Sequence, residues 1–164
     1  MTLRQALKHL FMPHWVALRV FPQGTLRRIE QAIKASERAH RGEIRLAVEG
    51  ALSLHHLRLS TRQRARAVFA ELGVWDTEEN SGVLIYVQLV DRRIEIVADR
   101  GIARRVAQSE WDAVCRAMER AFKQNRYEPG TLEAIESVTQ MLARHFPAGT
   151  AGNPNELPDK PVVL

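Results

Sequence analysis

The chain has 164 residues, of which 45% are hydrophobic and 26% charged, enough apolar material for the core of one ordinary domain. Its single cysteine, Cys115, excludes an intramolecular disulfide, and no run of about 18 apolar residues predicts a membrane-spanning helix. Residues 1–70 carry 13 Lys and Arg against 4 Asp and Glu, whereas residues 71–164 carry 11 against 15. The basic first half suits an anionic partner, but no nucleic-acid-binding signature accompanies it, so we expect no nucleic acid binding.

Residues 1–22 predict an amphipathic segment. Basic residues interrupt its apolar positions, which leaves no continuous apolar region of a signal peptide. Such a segment can lie on a bilayer or on another protein, and packing against its own domain is the open alternative. We therefore expect a cytoplasmic protein that is peripheral to the inner membrane if this segment binds lipid. The apolar positions are Leu3, Leu7, Leu10, Phe11 and Trp15.

Helical and strand patterns then alternate over residues 23–147, which we take as the domain. A helix is predicted from Gly24 to about His40, and strict alternation over 43–49 predicts a strand with its charged residues facing away from the core. Ser60 and Gln63 form a capping-box pattern that begins the next helix, and Gly73 is its expected stop.

Two strands follow, at 83–90 and 93–99. The connection between them is too short for a crossover, so they form an antiparallel hairpin. The strand at 43–49 reaches the first of them through a helix, which requires a parallel, right-handed crossover. Two apolar-striped helices, beginning near Ser109 and after Gly130, complete the domain. The expected fold is an α/β/α three-layer sandwich, a small mixed sheet with helices on both faces.

Residues 148–164 predict a disordered tail, because they are rich in proline and show no periodicity.

Several catalytic motifs are absent from the sequence. It contains no Gly-rich phosphate loop, no G-x-S-x-G elbow and no H-E-x-x-H pair. Cys115 lies on the apolar stripe of a predicted helix, which indicates a core residue rather than a nucleophile. These absences argue against the common hydrolase mechanisms.

The acidic loop at 76–80 raises the possibility of a metal site. It fails as an EF-hand, because its sixth position is Ser81 instead of Gly and its twelfth is Val87 instead of Glu. The hairpin returns Asp99 to the end of the sheet where Asn80 enters, so these two residues should converge. An irregular site and a merely solvated loop both stay open. The candidate metal ligands are Glu78, Glu79, Asn80 and Asp99, with Arg100 as the contact for a phosphate or another anion.

A specific resemblance lies in the central block, which reads WDTEENSGVLIYVQLVDRRIEIVADRGI. With the following W-D-A-V-C-R-A-M helix and AFKQNRYEPGTLEAI, it resembles the TPM domain family from about residue 25 to 146, and most closely the short, unanchored bacterial branch. The hallmarks are the N-x-G-V-L entry at 80–84, the D-R-x-x-x-I hairpin at 91–96 and A-F-x-x-x-x-Y-x-x-G at 121–130.

The resemblance implies an α/β/α sandwich, binding of calcium or another divalent cation in some members, and a weak phosphatase activity in plant members. It also implies partners such as LemA-like membrane proteins or other TPM proteins. Many relatives carry an acidic segment before their first helix, where this chain reads VFPQGTL without any acid. Two functions follow as hypotheses: a binding or adaptor module that acts with a partner protein, or a divalent-cation-dependent weak phosphatase.

Overall fold

The computed structural model of the protein describes residues 15–53, 55–149 and 154–164. These ranges contain six α-helices, one 3-10 turn and four β-strands. The helices are α1 (Trp15–Val20), α2 (Gln23–Ser36), α3 (Thr61–Glu71), α4 (Arg100–Ala103), α5 (Gln108–Lys123) and α6 (Tyr127–His145). The strands are β1 (Glu43–Glu49), β2 (Gly82–Gln88), β3 (Arg93–Ala98) and β4 (Val162–Val163), and the 3-10 turn is His56–Arg58.

The four strands form one mixed sheet in the order β3-β2-β1-β4. β1 is parallel to β2, with Glu43 opposite Gly82 and Glu49 opposite Gln88, and it is also parallel to β4. β2 and β3 are antiparallel, with Val83 opposite Ala98. The predicted crossover and hairpin are therefore both confirmed.

Helices cover both faces of the sheet. Alternate residues of β1 and β2, such as Ile44 and Ile85, pack with α2, α5 and α6 in the larger core. Residues of the opposite parity, such as Leu84 and Tyr86, pack with Ala65 and Val68 of α3 in a smaller core. This arrangement confirms the three-layer α/β/α sandwich, and it follows from the period of two in a strand.

Local signals placed some helix ends correctly, although the last helix begins at Tyr127 rather than after Gly130. Ser60 Oγ accepts from the Gln63 amide at 3.2 Å and Gln63 Oε1 accepts from the Ser60 amide at 2.8 Å, so the predicted capping box is present. Gly73 ends this helix region with φ of 63°. The first long helix stops at Ser36 rather than near His40, because the chain turns there to enter β1.

The charged residues of β1 are buried, on the face opposite Ile44, Leu46 and Val48. Every residue from Glu43 to Glu49 is buried. The C-terminal segment covers Glu43 and Arg45, whereas Glu49 lies beneath α3, where it bonds Arg64. The alternation along β1 correctly separated the residues of its two faces. It could not reveal that α3 and the C-terminal segment cover the polar face.

The prediction of a disordered tail is wrong for residues 154–164. Val162–Val163 pair with β1, and the Leu164 amide donates to Val48 O at 2.9 Å. Arg45 donates to Lys160 O at 3.1 Å and to Pro158 O, and the side chain of Leu157 is buried. The segment is held by main-chain pairing with the edge of β1 and by the single buried side chain of Leu157. It needs no stripe of apolar residues facing the core, so its sequence shows no periodicity.

The predicted boundary at residue 22 does not separate α1 from the domain. Ala17 and Phe21 are fully buried, and the Phe21 ring lies 6.2 Å from that of Phe122 and 6.3 Å from that of Tyr127. Residues 1–14 lie outside the described residues, so their amphipathic helix stays a prediction. No helix in the described part of the chain is long and apolar enough to cross a membrane.

Candidate functional site

The acidic loop and the end of β3 converge, as the hairpin register predicted. The Asp99 amide donates to Gly82 O at 2.9 Å, and the Gly101 amide donates to Asn80 O at 3.1 Å. Asn80 takes a left-handed conformation with φ of 53°, which turns the loop toward β2. A Cβ on Gly101 would lie 2.5 Å from Glu79 O, so glycine is required for this close approach.

Asp99 is the buried acid of this region. Its side chain caps α4, with Oδ1 accepting from the Arg100 amide at 2.7 Å. Its second oxygen, Oδ2, is buried and has no hydrogen-bond partner. Since buried carboxylate oxygens are normally paired, this atom marks a position where a cation or a proton donor would be stabilised.

Apart from Asn80 and Asp99, the predicted site residues lie at exposed positions. Glu79 Oε1 forms an ion pair with Arg41 at 2.6 Å, and the Glu78 amide donates to Glu156 Oε2 at 2.9 Å. The side chain of Arg100 is exposed at the start of α4. Among the described residues, no three His, Cys, Asp or Glu side chains form a group that could hold a metal ion. The structure thus brings Asn80 beside Asp99, and the metal site stays a prediction.

An acid from α6 lies against the beginning of α2. Glu128 accepts from Thr25 Oγ1 at 2.5 Å and from Arg28 Nη2 at 2.6 Å. The hydrogen bond from Arg28 holds the pKa of Glu128 down at about 2, with that from Thr25 acting in the same direction. Because both carboxylate oxygens are engaged, Glu128 acts as a tether between α2 and α6 rather than as a free ligand.

A wide opening lies at the other end of the sheet. It is a cleft of about 820 Å³ at the carboxyl ends of β1 and β2, bounded by the β2–β3 turn and the beginning of α3. Clefts at the carboxyl ends of parallel strands are common ligand sites in α/β folds. Its lining contains Leu52, Leu57, Leu59, Ser60, Thr61, Arg64, Tyr86, Gln88, Val90, Asp91, Arg92, Arg93, Glu119 and Lys123.

A buried polar network forms the floor of this cleft. Arg64 donates from Nε to Glu49 Oε2 and from Nη2 to Oε1, both at 3.0 Å. Its Nη1 donates to Glu71 at 2.8 Å, and the Tyr86 hydroxyl donates to Glu49 Oε2 at 2.5 Å. Burial lowers the pKa of Arg64, but its bonds to Glu49 and then Glu71 outweigh that effect and leave the pKa raised. Burial and then the bond to Glu49 raise the pKa of Tyr86. The floor therefore holds a charged guanidinium and a neutral phenol.

This cleft was not predicted from the sequence. Glu49 was assigned to the outer face of its strand, and Arg64 carries no motif that separates it from the other arginines of its helix. One signal was available, because Gln88 interrupts an otherwise apolar strand. In the structure Gln88 closes the strand end, where its amide donates to Gly50 O at 2.9 Å and its Oε1 accepts from the Asp91 amide.

Comparison with known structures and families supports the fold. The solution structure of the BA42 protein from the psychrophilic bacterium Bizionia argentinensis is similar, with 30% identity and a TM-score of 0.76 over 86% of this chain and 93% of that chain. The N-terminal domain of a protein from P. gingivalis shares the fold alone, at 14% identity and a TM-score of 0.63, over 84% and 94% of the two chains. No curated protein gives a significant match.

The family comparison agrees with the motifs described above. The model of the TPM domain matches residues 18–141, which include α1 from its fourth residue and end within α6. The matched range contains both the Asn80–Asp99 region and the residues of the cleft. The chain therefore belongs to the TPM domain family.

Proposed function

Helix α1 has one buried face and one exposed apolar face. Ala17 is fully buried, whereas Trp15 and Leu18 keep 55% and 45% of their surface exposed. Residues three apart are neighbours on a helix surface, so these two side chains form one apolar patch. Tryptophan is enriched in protein interfaces because its large ring gains much from leaving water.

We propose that the chain is a non-catalytic binding module that docks on a membrane-associated partner protein through Trp15 and Leu18. The observation that carries the proposal is the pairing of these exposed residues with buried Ala17, which holds the patch rigidly on the domain. The partner is a LemA-like membrane protein or another TPM protein, and the chain acts from the cytoplasm at the inner membrane. The basic balance of the first 70 residues would draw it toward an anionic surface.

Co-sedimentation with membranes from the source cells tests this docking. We expect the wild-type chain to sediment with intact membranes but not with protease-shaved membranes or with protein-free vesicles of the same lipids. A Trp15→Ser/Leu18→Ser variant should stay in solution. Trp75→Ser is the matched control, because Trp75 is equally exposed, at 56%, outside α1, and this variant should sediment normally. Sedimentation of the double variant at the wild-type level would contradict the proposal, and binding to bare vesicles would assign the patch to lipid instead.

A divalent-cation-dependent weak phosphatase is the second candidate. Its support is Asp99 Oδ2, the buried carboxylate oxygen without a partner. If calcium, magnesium or manganese binds there, the metal should raise the melting temperature of the wild-type chain, since a ligand of the native state stabilises it. Asp99→Asn should abolish that rise, whereas Asp76→Asn in the exposed loop should keep it. An unchanged melting temperature with all three metals would remove this candidate.

A further inference from the structure

The cleft at the carboxyl ends of β1 and β2 takes no part in either proposed function. It lies at the opposite end of β2 from Asp99, and a seven-residue strand separates the two ends by about 20 Å. Its volume, about 820 Å³, falls in the range of roughly 300–1,000 Å³ typical of small-molecule sites. The cleft therefore has room for a ligand of its own.

The positive charge of the lining is concentrated at the rim. Four lining residues are cationic and two are carboxylates. The charge of Arg64 on the floor is already neutralised by Glu49 and Glu71. At the rim, by contrast, Lys123 forms no ion pair with any described residue, and Arg92 donates to the neutral amide oxygen of Asn125 at 3.2 Å.

The remaining rim charges do not reverse this balance. Arg93 lies 3.8 Å from Glu119, a long and largely exposed ion pair that neutralises weakly. Glu119 is also engaged by the Ile94 amide, which donates to its Oε1 at 3.2 Å. Asp91 is the second rim carboxylate, so the rim holds the three cations Arg92, Arg93 and Lys123 against two carboxylates. The rim thus carries a local excess of positive charge, which a bound anion would neutralise.

One wall of the cleft is apolar. Leu52, Leu59 and Val90 are only half-buried, so they leave hydrocarbon surface open to the cleft. On the floor, Arg64 donates to both oxygens of Glu49 and the Tyr86 hydroxyl donates to Oε2, which counters the charge of this carboxylate. An apolar wall beside a cationic rim is complementary to a molecule with one anionic end and one apolar end.

We propose that this cleft binds a small organic anion. Its carboxylate or phosphate group lies against Arg92 and Lys123, and its apolar portion packs on Leu52, Leu59 and Val90. The two anionic groups share the chemistry that the rim recognises, a charge-assisted hydrogen bond from a cation. The inference is independent of docking through α1 and of any metal at Asp99.

A titration followed by ¹H–¹⁵N NMR tests the site. The probes are hexanoate and hexyl phosphate, with hexylammonium and inorganic phosphate as controls that lack the anionic or the apolar end. We expect one or both probes to shift amides at 57–61, 88–93 and 123, and the better probe identifies the preferred group. Hexylammonium loses the interaction with the rim cations and inorganic phosphate loses the burial of the hexyl chain, so each control should bind at least about ten-fold more weakly. Shifts confined to other parts of the domain, or no shifts with either probe, would overturn the proposal.

Rim variants separate this site from general attraction to a basic protein. Arg92→Gln/Lys123→Gln should weaken probe binding about ten-fold or more, whereas Lys34→Gln/Arg38→Gln, at exposed positions at the end of α2, should leave it unchanged. The free variants should keep the wild-type spectrum away from the substitutions, because the replaced side chains lie outside the core. Equal weakening by both pairs, or by neither, would refute specific binding at the rim.

Discussion

Glu37 provides the sharpest test of the energetics of this fold. The residue follows α2 and is buried, with its Oε1 accepting from the Ile44 amide at 3.0 Å. Burial raises its pKa to about 8 from an ordinary value of 4.5, and the nearby carboxylates of Glu43 and Asp159 add to the rise, although the bond from Ile44 opposes it. Glu37 therefore keeps its proton in the native protein at neutral pH and loses it in the unfolded chain.

The sign and size of the effect follow from proton linkage. Between pH 4.5 and 8 the native state binds one more proton at Glu37 than the unfolded state, so the free energy of unfolding falls as pH rises. One full proton corresponds to about 1.4 kcal/mol per pH unit. Between pH 6.5 and 7.5 we therefore expect a loss of about 1 kcal/mol, or roughly 2–4 °C in melting temperature for a chain of this size.

His40 sets the window in which Glu37 can be measured. Burial lowers the pKa of His40 to about 4 from 6.5, so this residue makes stability rise with pH between those values and contributes little above them. The two effects oppose each other most strongly below pH 6.5; the effect of His40 fades over about one pH unit above that value, where the loss from Glu37 dominates.

Urea unfolding at half-unit steps from pH 6.5 to 8 provides the measurement. Glu37→Gln keeps an oxygen acceptor for the Ile44 amide but cannot ionise, so its stability should be nearly flat over this range. Glu136→Gln, at an exposed position of α6, should keep the wild-type slope. The reasoning is refuted if the wild-type chain shows no decline or if Glu37→Gln declines as steeply.

Three further substitutions test the packing around the sheet. Arg64→Ala leaves a buried carboxylate unpaired and should lower the free energy of unfolding by about 3–5 kcal/mol, so a loss below 1 kcal/mol in urea unfolding would contradict the buried ion pair. Leu157→Ala should cost about 2–4 kcal/mol and increase hydrogen exchange at the Leu164 amide, because it removes the anchor of the C-terminal segment; unchanged exchange would mean that the segment is held without it. Gly82→Ala should prevent native folding by circular dichroism, since its Cβ would overlap the carbonyl oxygen of Val74, whereas Gly149→Ala, with open space around it, should fold normally.

Hydrophobic periodicity was sufficient for most of the architecture. The alternation at 43–49, the apolar run at 83–90 and the short connection to 93–99 specify a parallel crossover and a hairpin, because side-chain parity and connection length leave few ways to bury those residues. The capping box at Ser60 was equally predictable, since both of its hydrogen bonds are local. The convergence of Asn80 with Asp99 followed from counting residues along the hairpin.

The amino-acid sequence by itself thus determined the element order, the parity of each strand and the meeting of the acidic loop with Asp99. Only the tertiary structure decided what covers the polar face of β1, where Glu49 meets Arg64 from α3 and Arg45 meets the carbonyl groups of the C-terminal segment. It also decided that Glu79 is paired with Arg41 and that a cleft opens at the far end of the sheet. The physical reason is that these contacts join residues 15 to 115 positions apart, and their pairing depends on which surfaces the layers bring together rather than on any local pattern.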